Sequence, residues 1–106
     1  MKYSIIGLLF LFSLNMIWAQ SIPELEKQLQ EATNAQEKIT INQQLANAYL
    51  TTDVEKALNY AKAAARESAN SGNKVQAAAS NYLIATIDER KKDMANLRVY
   101  MKYAIN

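Results

Sequence analysis

The chain contains no cysteine and no histidine among its 106 residues. Without those side chains the usual soft and imidazole metal sites, cysteine nucleophiles and serine–histidine or cysteine–histidine pairs are excluded. Disulfide bracing is excluded as well, so any stability must come from packing. Glycine occurs twice and proline once. Two glycines cannot build a phosphate-cradling loop, and so few breakers predict a chain that is helical almost throughout. An excess of charge of one sign is also lacking, since 12 basic residues are nearly matched by 10 acidic ones and the formal net charge is only +2. That balance argues against nucleic acid, which calls for a concentrated basic face.

What is present begins with a leader. Met1-Lys2 gives a positive start, Ile5 to Leu14 form an apolar run, and Ile17-Trp18-Ala19-Gln20 places a small residue where cleavage would fall. This pattern reads as a secretory signal peptide over residues 1–19, cut after Ala19. The alternative is an uncleaved membrane anchor, but the run is interrupted by Ser13 and Asn15 and is shorter than the roughly 20 residues that span a bilayer. The expected localisation is therefore exported, periplasmic or at the cell envelope.

Helix boundaries follow from capping residues. Ser21-Ile22-Pro23-Glu24 supplies a cap, a first-turn proline and a capping-box glutamate. A lead helix within residues 20–34 follows, with Ile22, Leu25 and Leu29 on one side. Asn34-x-x-Glu37 starts a second helix carrying Ile41, Leu45, Ala48 and Tyr49 to about Leu50. Thr52 or Asp53 caps a third, in which Val54, Ala57, Leu58, Ala61, Ala64, Ala65 and Ser68 share one arc. Gly72 is placed to stop it in a left-handed conformation. A fourth helix is expected from Lys74 to Glu89, a break at Arg90-Lys91-Lys92, and a fifth helix from Asp93 to the end.

An internal match supports that division. Asp53, Val54, Tyr60 and Ala64 recur as Asp93, Met94, Tyr100 and Ala104 at a spacing of forty, and Leu45-Ala46 recurs as Ile84-Ala85 at thirty-nine. Periods of this size mark stacked helical hairpins. The pattern Leu45-Ala46-x-x-Tyr49, then Ala57, Tyr60-Ala61 and Ala64, resembles the tetratricopeptide family. Asn42, where that family often has a large apolar residue, and the lack of a closing proline depart from it. The wording LANAYL…EKALNYAKAA behind a leader is similar to the exported N-terminal repeats of bacterial sensor and regulatory proteins.

The resemblance implies an all-α fold: a helical hairpin solenoid of about two repeats plus a lead helix. Residues 35–106 would form an incomplete array, because a finished solenoid ends in a polar capping helix. It implies a non-catalytic protein- or peptide-binding scaffold at the cell envelope, the sensor-side start of a larger signalling protein. No cofactor, metal or small-molecule substrate is expected. The partner would bind the concave face, carried from the family onto Thr40, Gln43, Asn47, Leu50 and Thr51 in the first unit. In the second unit it falls on Ala79, Tyr82, Thr86, Glu89 and Arg90.

The remaining chemistry reads as structural. Glu24, Glu26, Glu31, Glu55 and Glu67 fall on solvent faces and are expected to serve as solvating charges and intrahelical partners. Arg90-Lys91-Lys92 is taken as a solvated turn, and Tyr49, Tyr60 and Tyr100 as interhelical packing. In the last helix, Met94, Leu97, Tyr100, Met101, Ala104 and Ile105 form an arc to pack on the fourth. Val99 and Tyr103 form a second stripe, where a next repeat would stack. The alternative function is a small secreted helical protein that self-associates through Val99 and Tyr103.

Overall fold

The computed structural model describes residues 21–105, and the leader with its cleavage position lies outside them. The described residues are all-α, with four helices in sequence: α1 Ile22–Glu31, α2 Ala35–Tyr49, α3 Val54–Asn70 and α4 Lys74–Ile105. Neighbours in sequence are neighbours in space, with α2 packed on α3, α3 on α4, and α1 on α2.

Each start is set by a short polar side chain that accepts from an otherwise unpaired backbone N–H. Ser21 Oγ accepts from Glu24 N at 3.4 Å, and Asn34 Oδ1 accepts from Glu37 N at 2.8 Å. Asp53, rather than Thr52, caps α3 by accepting from Lys56 N at 3.1 Å. Asn73 does the same for α4, accepting from Gln76 N at 3.1 Å. Gly72 sits at φ 74°, as expected for the residue that reverses the chain after α3. Around it Gly72 N donates to Ala69 O at 3.2 Å and Asn73 N to Ser68 O at 2.9 Å, which pairs the last carbonyls of α3.

The core is an alanine seam. Ala46 on α2 and Ala57, Ala61 and Ala64 on α3 are fully buried, so the two backbones approach without intervening side-chain bulk. Leu58 and Ile87 complete one cluster, and Leu25, Ile41 and Leu45 form a second where α1 covers α2. Two buried polar groups satisfy themselves on their own helices. Asn42 Nδ2 donates to Lys38 O at 2.8 Å, and Ser68 Oγ donates to Ala64 O at 2.7 Å. A polar residue in this position is tolerated because its bond is made locally.

The expected break at Arg90-Lys91-Lys92 does not occur. α4 runs uninterrupted for 32 residues, so the fourth and fifth helices are one. The reason is local. Lys74–Ile105 contains neither glycine nor proline, and arginine and lysine are good helix formers; charge alone does not end a helix. Lys91 is also held against α3, where its Nζ lies 2.7 Å from Glu55 Oε1. Asp93 consequently sits inside the helix and caps nothing.

The second hairpin required by that break is therefore absent from the described residues. Met94, Leu97, Tyr100 and Met101 do not fold back on the first half of α4, and all four are exposed. At 1.5 Å per residue α4 extends about 48 Å, against about 25 Å for α3. Its C-terminal third projects past the helix that supports it.

Candidate protein-interaction surface

Three features of the surface carry chemistry. The first is a polar seam between α2 and the start of α4. Gln43 Nε2 donates to Gln76 Oε1 at 2.9 Å and to Ser80 Oγ at 3.1 Å, and Asn73 Nδ2 donates to Gln36 Oε1 at 3.2 Å. Ser80 is fully buried, so its bond with Gln43 fixes the register of α4 over α2.

The second is a tyrosine pair over a carboxylate. The rings of Tyr49 and Tyr60 stack with centroids 5.7 Å apart and planes 6° from parallel. Both hydroxyls donate to Glu26 Oε1, Tyr49 at 2.6 Å and Tyr60 at 3.4 Å. Lys56 Nζ lies 5.2 Å from the centre of the Tyr49 ring, a distance at which a cation is attracted by the ring face. The hydrogen bond to Glu26, with burial and the carboxylate's charge behind it, pushes the Tyr49 phenol up to about 12. Burial first, then Glu26, raises Tyr60. The two hydrogen bonds and the ring stack make the cluster a clamp joining α1, α2 and α3.

Glu26 thus departs from its expected solvating role. It is half-buried and is the acceptor for both tyrosines. A signal for this lies in the sequence, because Glu26 stands four residues after Ile22 on the arc that carries Leu25 and Leu29. Tyr49 and Tyr60 pack between helices as expected. Tyr100 does not, and stands exposed on α4 because the turn that would have brought it inward is missing.

The third feature is the row of residues assigned to partner binding. Thr40, Asn47 and Thr51 are exposed on α2 and the turn after it, and Thr40 Oγ1 accepts from Gln36 Nε2 at 3.2 Å. Gln43 lies between them but is committed to the seam with α4. Leu50 is half-buried against the alanine seam. On α4, Ala79, Tyr82, Thr86, Glu89 and Arg90 are all exposed, and Thr86 Oγ1 donates to Tyr82 O at 3.0 Å. The row therefore splits into a polar strip along α2 and a mixed strip along α4, joined by Gln43.

Two grooves flank these strips. One of about 680 Å³ lies beside the α1–α2 junction, lined by Gln28, Glu31, Asn34, Glu37 and Gln44 among others. Another of about 410 Å³ lies between the start of α3 and α4, with Asp53, Glu55, Lys91, Met94 and Arg98 on its walls. Neither gathers a nucleophile with a base. Among the described residues no cluster of carboxylates has the spacing of a metal site, and no helix is long and apolar enough to cross a membrane.

The large apolar side chains that stand exposed among the described residues all belong to α4. They begin at Val75 and Tyr82 and continue through Met94, Leu97, Val99, Tyr100, Met101 and Tyr103. Scattered apolar residues are ordinary on a protein surface, whereas here they are gathered on one helix. No family model, curated protein or solved structure matches this chain.

Proposed function

We propose that the protein is a non-catalytic, protein- or peptide-binding helical scaffold of tetratricopeptide-like type. It works at the cell envelope after export and removal of residues 1–19, as the sensor-side start of a larger signalling protein. The observation that carries this reading is the confinement of exposed large apolar side chains to α4, beside an uncharged polar strip on α2. Thr40, Asn47 and Thr51 offer hydroxyl and amide groups to an extended backbone, and the apolar residues of α4 offer area to bury. The alanine seam and the Gln43–Ser80 bond hold the two strips in a fixed relation.

The exposure of Val99 and Tyr103 supports a second reading, a secreted helical protein that self-associates through its last helical segment.

Site-specific photocrosslinking in the native cell tests the scaffold reading. A photoreactive phenylalanine analogue at Asn47 is expected to trap a discrete protein adduct. The same group at Lys62, exposed on the outer side of α3, is expected to trap none. Equal adducts from both positions, or none from Asn47, would contradict the reading.

A further inference from the structure

We infer that the partner of the outer face of α4 is a second copy of this chain, docked antiparallel with its twofold axis between Glu89 and Arg90. The inference rests on the reading of α4 as a binding surface and names what covers it. Because α4 is one continuous helix, positions spaced by three and four fall along a single stripe from Val75 to Ala104. Val75, Tyr82, Leu97 and Tyr100 lie on that stripe and are 77%, 76%, 58% and 72% exposed. The stripe faces away from Ser80 and Ile87, which are buried against the other helices.

Its residues are complementary to themselves when read in opposite directions. With the axis between Glu89 and Arg90, Tyr82 meets Leu97 of the second copy and Ala79 meets its Tyr100. Val75 then meets Ala104, so in the outer layers a larger side chain faces an alanine that leaves it room, while Tyr82 and Leu97 pack side by side nearer the axis. Thr86 faces Asp93, so a polar layer separates the charged centre from the apolar layers on each side. At the axis Glu89 faces Arg90 twice, so that opposite charges meet in the middle of the contact. A parallel pairing would set Glu89 beside Glu89 and Arg90 beside Arg90, and would stack Tyr82 on Tyr82. The charge pattern therefore selects orientation as well as register. The contact extends about 44 Å along each helix and supports the part of α4 that projects beyond α3.

This assignment separates the two strips. Tyr82, Thr86, Glu89 and Arg90 are taken into the dimer, leaving Thr40, Asn47 and Thr51 for a different partner.

The chain, purified as the cell processes it, is expected to sediment as a dimer. Glu89→Arg alone and Arg90→Glu alone place like charges at the axis, and each is expected to raise the dimer dissociation constant at least tenfold. Together in one chain they are expected to restore it. The absence of native cysteine makes covalent trapping clean. A chain carrying both Val75→Cys and Ala104→Cys is expected to oxidise to a disulfide-linked dimer, and Val75→Cys alone is not. A monomer at all concentrations overturns the proposal. So does a dimer insensitive to both single charge changes, or one trapped by Val75→Cys alone. A monomer that still captures a protein from Asn47 would end the dimer and leave the scaffold standing, whereas a dimer without that adduct would do the reverse.

Discussion

Replacing Ile87 by alanine will destabilise the fold by roughly 2–5 kcal/mol, the cost of removing buried branched carbon and leaving a cavity. Ile87 is fully buried in the cluster with Ala46, Ala57, Leu58 and Ala61, and it is the main large side chain that α4 contributes there. Its neighbours Leu83 and Ile84 are only half-buried. A helix extending about 48 Å is thus anchored by a short stretch, and loss of that anchor loosens the whole of it. Urea unfolding followed by circular dichroism measures the effect. A change below about 1 kcal/mol would place Ile87 outside the core, since even trimming an isoleucine to valine costs about that much.

The second large effect is expected at Ala61. This residue is fully buried on the face of α3 that meets α2, where closeness depends on small side chains. Ala61→Leu adds three carbons to a contact with no room and should cost roughly 1–3 kcal/mol through off-rotamer packing and displaced backbone. Ala63, half-buried on another side of α3, is the comparison: Ala63→Leu should cost less. Equal melting temperatures for the Ala61 and Ala63 variants would show that the alanine seam does not set the helix spacing.

Much of this fold is readable in the chain because the decisive signals are local. Ser21, Asn34 and Asp53 each act within three residues of themselves, so capping fixes the helix starts without reference to the rest of the molecule. Gly72 acts through its own backbone conformation. The burial of Ala57, Ala61 and Ala64 follows from helical periodicity.

The break at Arg90-Lys91-Lys92 is the instructive failure. There the internal match at forty residues assigned Asp93 the role of Asp53. A repeat can preserve residue types while losing the turn between them, and only backbone preference decides which has happened. The stretch has no residue that disfavours the helix, and Glu55 on α3 stabilises Lys91 in place. The displacement of Tyr100 from core to surface follows from that one difference.

Thr40, Asn47 and Thr51 are exposed on α2 and the turn after it, and Tyr82, Thr86, Glu89 and Arg90 are exposed on α4. Gln43 could not be read from spacing, because its partners Gln76 and Ser80 are brought to it only by the packing of α4 over α2. The same holds for Glu26 with Tyr49 and Tyr60, a cluster assembled from three helices. Pairing between distant positions is set by tertiary packing, on which local periodicity is silent.

The continuity of α4 through residues 90–92 underlies both the exposed surface and the self-complementary stripe. A distance measurement between spin labels at Asn81 and Lys102, in labelled chain diluted with unlabelled chain, reports on it directly. Both positions are exposed and lie off the proposed dimer line. An unbroken helix puts these two positions about 32 Å apart along its axis. A turn at Arg90-Lys91-Lys92 would bring them side by side on adjacent helices, with about 8–10 Å between axes. A distribution centred near the longer distance is the expected result, and one centred near the shorter would contradict the account.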